Sequence, residues 1–364
     1  MRPDPFRFFR QTLIDWGAEV ERPLPWKGIR DPYKIWLSEI LLQQTRAAQG
    51  LPYYLKFVER FPTVTDLASA EDDEVMKLWE GLGYYARARN LLKAARLVAF
   101  EMNGRFPDTY EGLRQLPGVG PYTAAAIASF AYDAPHAVLD GNVFRVLSRF
   151  TGLAEPVDTT AGRKRFEELA QSALDAARPA AYNQAIMDFG AMCCTPQNPL
   201  CRQCPVSEHC RALAEGTVSD LPLKSKSIVK RERFFHYLVV EQAGKVLISR
   251  REGKDIWNGL YEFPLLELPA LTTALDVLQS DEHWNEILQS TDALVESVSP
   301  PFRQTLTHRF VTAIFFEIRP RQEIVLPEDS RFLWIEREKL SKFAFPKIID
   351  RYLKDNVFNL CLAL

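Results

Sequence analysis

Several features that would fix the class of this protein are absent from its 364 residues. The formal net charge is only −2, so the chain is not a polycation, and any surface that binds nucleic acid must be local. No apolar run is long enough to cross a bilayer, and charges and prolines occupy residues 2–7, where a signal peptide needs apolar residues. There are no repeats and no low-complexity tract. These absences predict a soluble, cytoplasmic protein that does not bind membranes.

Cysteine is also scarce, but four of the six cysteines stand close together. Chance clustering of so rare a residue is improbable, and a reducing compartment disfavours disulfides. Four thiolates suit zinc and an iron–sulfur cluster alike, so the spacing predicts a metal site and leaves the metal open. The predicted ligands are Cys194, Cys201, Cys204 and Cys210.

The pattern of apolar residues divides the chain into three stretches. Helical spacing continues to about residue 213 and predicts an all-α domain over 1–213. Residues 214–232 are basic and poor in apolar side chains, which is typical of a linker. This linker is either a solvated tether or a tether that lies along phosphates, and the sequence favours neither. Alternating apolar residues over 233–364 predict an α+β domain.

Within these stretches the individual elements can be placed from capping residues and periodicity. Asp31 and Pro32 predict the start of a helix that continues over 33–50, because aspartate caps helices and proline suits their first position. In the α+β stretch, strands are expected at 234–241, 245–250, 310–318 and 331–336, and helices at 272–278 and 338–353.

The turn Pro117-Gly118-Val119-Gly120 lies between two helical patterns, 109–115 and 122–132. Its glycines leave backbone amides bare, and bare amides at the start of a helix bind anions such as a phosphate diester. Taken alone, Gly-x-Gly is a weak signal, and an ordinary tight turn explains it as well. The Ala-rich helix that follows and the isolated carboxylate of Asp140 favour the anion site.

Two carboxyl groups stand out as candidates for acid–base chemistry. Glu39 has apolar neighbours on its predicted helix, and burial there would raise its pKa towards neutrality. Asp140 precedes a helix, where capping would keep it ionised. The plain alternatives are a helix-edge glutamate and a structural N-cap, and composition alone favours them. An acid paired with an anion is what cleavage of a glycosidic bond requires.

Three segments resemble known families. Residues 116–142 resemble the helix-hairpin-helix-Gly/Pro-Asp signature of the endonuclease III superfamily of DNA glycosylases, and residues 194–210 look like its [4Fe–4S] loop. Residues 38–45 resemble the catalytic helix of the A/G-specific adenine DNA glycosylases (the MutY family). The resemblance implies a multidomain protein with an all-α helix-hairpin-helix glycosylase core and a [4Fe–4S] cluster. Cys193 departs from the spacing and is expected to be a buried thiol.

The resemblance also implies a substrate and a mechanism. The partner would be double-stranded DNA with adenine opposite 8-oxoguanine or guanine, bound by a monomer. Glu39 would protonate the flipped adenine, and Asp140 would stabilise the sugar cation. Tyr122 and Asn142 would support them by hydrogen bonding. Tyr122 stands where bifunctional relatives carry a lyase lysine, so the enzyme is expected to be mainly monofunctional.

Recognition residues follow from the same resemblance. Gly118 and Gly120 would hold the DNA strand, Gln44 and Tyr84 would fill the gap left by the flipped base, and Leu82 and Thr45 would lie near 8-oxoguanine. Lys27 and Gln184 depart from the Arg and Glu of relatives. The expected adenine-pocket residues are Arg22, Leu24, Trp26, Leu42 and Gln184.

Residues 256–264 resemble the opening of a Nudix-like domain, but the metal-binding box expected after them is missing from 266–280. This domain is therefore expected to recognise 8-oxoguanine and not to hydrolyse pyrophosphate. Leu306-Thr307-His308 matches the lesion-sensing loop of relatives with two substitutions. Three other interpretations are an endonuclease III-like enzyme for oxidised pyrimidines, a non-enzymatic DNA-binding or Fe–S structural protein, and a Nudix hydrolase. Tyr122 in place of the lyase lysine argues against the first, because no Schiff base can form there. The pair Glu39 and Asp140 argues against the second, and the missing metal-binding box argues against the third.

Overall fold

A computed structural model describes residues 4–225, 229–288 and 293–361. The chain divides into two compact units. Unit 1 contains the described parts of Met1–Ala70 and Asn90–Ser227, and unit 2 those of Glu71–Arg89 and Ile228–Leu364. The inclusion of residues 71–89 in unit 2 has no signal in the sequence. The domain boundaries expected at 213 and 233 stay a prediction, and linker residues 226–228 lie outside the described part, as do 289–292 and 362–364 of the third stretch.

The first part of the chain is helical. Its helices are α1 Arg7–Glu19, α2 Pro32–Leu42, α3 Ala47–Arg60, α4 Val64–Ala68, α5 Asp72–Leu78, α6 Ala86–Arg96, α7 Tyr110–Leu113, α8 Pro121–Tyr132, α9 Gly141–Thr151, α10 Thr160–Ala173, α11 Pro179–Met192 and α12 Arg211–Ala214. Helices α1 and α8 to α11 share one apolar core in unit 1, which includes Phe9, Val146, Phe166 and Phe189. None of the described helices has the length and apolar content needed to cross a membrane.

The prediction of one helix over 33–50 is wrong in its second half. Asp31 caps α2 by accepting from the amides of Tyr33 and Lys34, as expected, but α2 ends at Leu42. Gln44 then adopts a left-handed backbone (φ 56°), which a right-handed helix cannot contain. The turn at 43–46 places Gln44 on the surface before α3 begins at Ala47.

Unit 2 is built on a mixed sheet of eight strands. Its core strands are β1 and β7, which pair in parallel, while β2 pairs with β1 antiparallel. The elements are β1 Arg231–Gln242, β2 Lys245–Arg250, β3 Tyr261–Glu262, β4 Leu265–Leu268, α13 Leu275–Gln279, α14 Glu282–Leu288, β5 Ala293–Val298, β6 Phe302–Thr305, β7 Arg309–Pro320, β8 Phe332–Glu336 and α15 Lys347–Cys361.

The sequence does not predict four strands of this sheet, β3 to β6, because β3, β4 and β6 have only two to four residues and β5 and β6 show only partly buried alternation. The helix expected over 338–353 is also wrong in its first half. Residues 337–342 form a 3-10 turn, and α15 begins only after Pro346, which disfavours helical backbone at the residue before it. The apolar face of the sheet packs on α13 and α14 through Leu278, Trp284 and Leu288.

Candidate active site and cysteine loop

Unit 1 contains a cavity of about 1290 Å³ that collects residues from α2, the turn after it, the α7–α8 hairpin, α9 and α11. All four predicted catalytic residues and nine predicted binding residues line it. They are Glu39, Asp140, Tyr122 and Asn142, with Arg22, Leu24, Trp26, Leu42, Gln44, Thr45, Gly118, Gly120 and Gln184. Residues that are far apart in the sequence, by up to about half of its length, therefore line the same cavity.

Glu39 lies near the end of α2 with only 7% of its surface exposed. Burial raises the pKa of Glu39 from 4.5 to about 7, and the nearby charge of Asp140 pushes the pKa in the same direction. A hydrogen bond from the Tyr122 hydroxyl lowers the pKa but does not outweigh burial. Glu39 is thus a carboxyl group that still holds its proton near neutrality, as a general acid must.

Asp140 is the N-cap of α9, as its position before a helix suggested. Its Oδ1 accepts from the backbone amides of Asn142 and Val143, both at 2.8 Å, and its Oδ2 accepts from the Asn142 side chain at 2.8 Å. Burial raises the pKa of Asp140, while these hydrogen bonds and the Arg145 guanidinium lower it. Since Asp140 receives three donors where Glu39 receives one, Asp140 is the carboxyl group better suited to carry the negative charge.

Arg145 connects this site to the cysteine loop, and sequence reasoning missed it. Its Nη2 donates to Asn142 Oδ1 at 2.8 Å and to the Gly190 carbonyl at 2.6 Å, and its Nε donates to the Cys194 carbonyl at 2.7 Å. Gly190 permits this packing, because a Cβ there would stand 2.7 Å from the Asn142 Cβ. The available signal was an arginine between the apolar residues Phe144 and Val146 on α9.

Asp188 is a second residue that sequence reasoning missed. This buried carboxylate of α11 accepts from Arg22 Nη1 at 2.7 Å, from Lys27 Nζ at 2.8 Å and from Gln184 Nε2 at 3.0 Å. Arg22 and Gln184 line the cavity, and Lys27 is one of the positions that depart from relatives. One carboxylate therefore orients several polar groups of the cavity wall. An aspartate inside an apolar helix was the signal for it.

The hairpin before α8 has the properties expected of an anion site. Gly118 has φ 78°, and a Cβ there would stand 2.8 Å from the Asn90 Cβ, so only glycine fits without displacement. Gly120 is the N-cap of α8, and no side chain caps the first amides of this helix. These amides are thus available to a phosphate.

Four predicted recognition residues belong to unit 2 and do not line the cavity. In that unit the hydroxyl groups of Tyr84 and Thr307 form a hydrogen bond, although the residues are 223 positions apart. Tyr84 is exposed and has φ 50°, and His308 is exposed, whereas Leu82 is buried. Arg87 supports the turn by donating to the Gly83 carbonyl at 3.1 Å and packing over the Tyr84 ring.

The four predicted metal ligands line one small cavity of unit 1 together with Cys193, and all five thiols are free. Arg149 Nη1 donates to Cys194 Sγ at 3.5 Å and to the Thr195 carbonyl at 2.7 Å. As placed, no three His, Cys, Asp or Glu side chains of the described chain are set to hold a metal ion. The fit of a cluster therefore rests on the donor set, four free thiols around one cavity, and Cys193 is buried as expected.

Two family models match the chain. Residues 37–172 match the HhH-GPD superfamily of base excision DNA repair proteins, and residues 236–355 match the NUDIX domain. The predicted fold class, a helical helix-hairpin-helix core followed by a Nudix-like domain, is thereby confirmed. Asp140 and its hairpin lie inside the first match, and the four cysteines follow it in the chain.

Curated relatives share most of the chain. It is 37% identical over 337 residues to an adenine DNA glycosylase of Rattus norvegicus, which covers 78% of this chain and 65% of that relative. It is 35% identical over 263 residues to an adenine DNA glycosylase of Buchnera aphidicola subsp. Baizongia pistaciae (strain Bp), which covers 70% of this chain and 73% of the relative. The chain thus spans less than two thirds of the length of the rat protein.

Among solved structures, a thermostable thymine-DNA glycosylase resembles the chain with a TM-score of 0.53 and 31% identity. The likeness covers 57% of this chain and 95% of that one. The helical core is therefore the shared part.

The raised pKa of Glu39 makes a prediction about stability. The unfolded carboxyl group loses its proton near pH 4.5 and the folded one near 7, so the folded state is favoured most below 4.5 and loses this contribution as pH rises through 7. Glu39→Gln has no proton to lose. From about pH 5 to about pH 8, its free energy of unfolding should rise relative to wild type by about 2 to 3 kcal/mol, measured by urea unfolding. A difference that stays constant across this range would contradict the burial effect.

Proposed function

Since this chain belongs to the adenine DNA glycosylase family, within the HhH-GPD superfamily, we propose that it hydrolyses the N-glycosidic bond of adenine in duplex DNA. The substrate is adenine paired with 8-oxoguanine or guanine. The observation that supports this most is the pair of carboxyl groups in one cavity, with Glu39 at a pKa of about 7 and Asp140 held by three hydrogen bonds.

The reaction follows from the different roles of these groups. The adenosine nucleotide leaves the duplex and enters the cavity, because the reacting bond is inaccessible in stacked DNA. Glu39 gives its proton to the adenine ring, and the electron pair of the bond between C1′ and the base leaves with the base. Asp140 stabilises the positive charge at C1′ or briefly bonds to it. Water then adds to C1′, and the proton it loses returns to Glu39.

Tyr122 and Asn142 hold the carboxyl groups of Glu39 and Asp140 in position. The Tyr122 hydroxyl bonds Glu39, and the Asn142 amide bonds Asp140 and is itself held by Arg145. Burial raises the pKa of Tyr122 well above its usual range, so its hydroxyl stays a donor. No amine occupies this position, so no Schiff base forms here and the enzyme releases base without cutting the strand.

Two further features hold the DNA and recognise the lesion. The backbone amides at the start of α8, which follows Gly120 and has no side-chain cap, bind a phosphate of the strand that carries adenine. Tyr84 and Thr307, joined by their hydroxyl groups in unit 2, contact the base opposite adenine, with His308 beside them. An exposed tyrosine on a fixed turn suits insertion into a base stack.

The cofactor is a [4Fe–4S] cluster held by Cys194, Cys201, Cys204 and Cys210. When bound, it would supply a rigid centre for this loop. Arg149 donates to the Cys194 sulfur and to the neighbouring Thr195 carbonyl, and so holds this ligand position in place. Through its bond to the Cys194 carbonyl, Arg145 links the loop to Asn142.

The function is tested with duplexes that carry adenine opposite 8-oxoguanine, adenine opposite guanine, or thymine glycol. Free base and strand nicking are scored separately. We expect adenine release from the first two duplexes without nicking, and no action on thymine glycol. Glu39→Gln and Asp140→Asn should each slow release by about 100-fold or more, because each removes a group that acts in the transition state.

A matched control is Glu167→Gln, since Glu167 is an exposed carboxylate of α10 that also faces the cavity. Its rate should stay near that of wild type. Adenine release by Glu39→Gln at the wild-type rate would remove this residue from the acid role, and release of thymine glycol would favour the endonuclease III-like reading.

The lesion-reading role of unit 2 is tested with Thr307→Ala combined with His308→Ala. The preference for adenine opposite 8-oxoguanine over adenine opposite guanine should fall about tenfold, the worth of one hydrogen bond of about 1.4 kcal/mol. The rate on adenine opposite guanine should change little. Ser297→Ala is the control, because its hydroxyl bonds only Glu317 on a neighbouring strand. An unchanged preference would remove the loop from lesion reading.

The cluster is tested by iron and sulfide analysis and by visible absorbance of purified protein. Serine at any of the four ligand positions should lower iron and sulfide content and the absorbance. Cys193→Ser is the matched control, since this thiol lines the same cavity and should be dispensable. Stoichiometric zinc in the wild-type protein would reassign the metal, and loss of iron in Cys193→Ser would reassign the ligands.

A further inference from the structure

In unit 2, an ion pair at the end of α5 bonds the backbone of segment 343–345. Lys77 Nζ lies 2.7 Å from Glu80 Oε2. The same ammonium group donates to the Phe343 carbonyl at 2.9 Å, and the other carboxylate oxygen, Oε1, accepts from the Phe345 amide at 2.9 Å. The cation therefore meets a backbone acceptor, and the anion meets a backbone donor two residues further along.

These two backbone groups lie on one edge of segment 343–345. Phe343 is extended (φ −94°, ψ 146°), and the carbonyl of the next residue, Ala344, accepts from the Tyr261 amide of β3 at 2.9 Å. Successive residues of an extended chain direct their backbone groups to opposite edges, so β3 bonds one edge and the ion pair bonds the other. The Lys77–Glu80 pair thus takes the place that a neighbouring strand would have.

The first turn of α5 is bonded to the same unit. Asp73 Oδ2 accepts from the Tyr261 hydroxyl at 2.9 Å, and Asp73 Oδ1 lies 3.6 Å from Arg250 Nη2 on β2. Helix α5 is therefore held at its start through Asp73 and at its end through Lys77 and Glu80. Since a helix of seven residues is marginal by itself, its position depends on such tertiary bonds.

The turn that carries Tyr84 follows α5 directly, and Glu80 lies at its start. Within this turn, Nε1 of the buried Trp79 donates to the Gly83 carbonyl at 3.1 Å. A turn braced by such a bond moves as one piece, so a displacement of Glu80 also displaces Tyr84. The hydrogen bond between the hydroxyl groups of Tyr84 and Thr307 therefore depends on where the Lys77–Glu80 pair holds the end of α5.

We propose that Lys77 and Glu80 are positioning residues for lesion recognition, which hold Tyr84 against Thr307 and so set the preference for 8-oxoguanine over guanine. The proposal rests on the lesion-reading role proposed above and adds the device that preorganises it. Both residues act through the turn and not by contact with the base. Fixing the turn before DNA binds matters, because ordering a loose turn would consume binding energy on which the selection depends.

The experiment swaps the two charges in the full-length protein by combining Lys77→Glu with Glu80→Lys. The swap keeps the net charge and the spacing of the pair, but it sets a carboxylate against the Phe343 carbonyl and an ammonium group against the Phe345 amide. Adenine release is measured in single turnovers from duplexes with adenine opposite 8-oxoguanine and opposite guanine. The ratio of the first rate to the second should fall about fivefold, through slower release opposite 8-oxoguanine.

The matched control is Glu336→Lys combined with Lys339→Glu. This pair also belongs to unit 2, has the same spacing and the same distance of 2.7 Å, but its side chains are 51% and 55% exposed. Since exposed ion pairs contribute little, the ratio should stay at its wild-type value. A fall of the same size in this control would assign the effect to charge swapping in general and would overturn the inference.

A double-mutant cycle separates positioning from general damage. Thr307→Ala removes the partner of the Tyr84 hydroxyl, so in this background the swap of Lys77 and Glu80 should lower the ratio by less than about twofold further. A merely structural role would act equally in both backgrounds. A fall as large as in the wild-type background would therefore overturn the inference.

Amide hydrogen exchange of the free protein follows the turn without catalysis. In the charge-swapped variant, the amides of residues 79–85 should exchange about tenfold faster or more, whereas those of 121–132 in α8 should not change. Unchanged protection of 79–85 would overturn the inference. If the charge-swapped variant does not fold, Lys77→Met keeps the bond of Glu80 to the Phe345 amide, and its ratio should fall about threefold. A wild-type ratio in Lys77→Met would overturn the inference.

The outcomes distinguish this inference from the function on which it rests. No adenine release by wild type would overturn the proposed function and this inference together. An unchanged ratio in Thr307→Ala with His308→Ala would remove lesion reading by the loop and, with it, this inference, while the glycosylase function would stand. A ratio that falls in that variant but not in the charge-swapped one would overturn the positioning role of Lys77 and Glu80 alone.

Discussion

The unequal surroundings of two carboxyl groups are the constraint on which the rest of the site depends. Glu39 is surrounded by the apolar residues of α2, so burial raises its pKa to about 7. Asp140 stands at the start of a helix, where amides and an asparagine side chain bond it. If both were solvated, both would be ionised near neutrality and no proton would be available. The division into acid and anion comes from position in the fold, since the two groups are chemically almost the same.

A layer of buried polar residues behind the cavity maintains this arrangement. Arg145 bonds Asn142 on one side and the Cys194 carbonyl on the other, and Asp188 gathers Arg22 and Gln184. Such groups are costly to bury unless each donor and acceptor is paired, and here they are paired across helices that are distant in sequence. The site is therefore as rigid as the packing of α9 on α11, where Gly190 allows close contact with Asn142.

In unit 2, too, residues that are distant in sequence are held together by hydrogen bonds, here at the surface. Residues 71–89 precede much of the helical core in the chain, yet they are grouped with the sheet of unit 2. Within that unit Tyr84 meets Thr307, and Arg87 fixes the turn through the Gly83 carbonyl. A resemblance could suggest each residue separately, but nothing in the linear pattern indicated that their hydroxyl groups bond each other.

The sequence by itself determined what depends on local pattern: the caps Asp31 and Asp140, most helices of the first 213 residues, strand β2, and the clustered cysteines. Spacing and capping are short-range effects, so they can be read from neighbouring residues. The break at Gln44, the short strands β3 to β6 and the buried charges Arg145 and Asp188 were decided by tertiary structure. The two buried charges depend on partners far away in the chain, Gly190 for Arg145 and Arg22 for Asp188, and the cost of burying a charge is met only when such partners are in place.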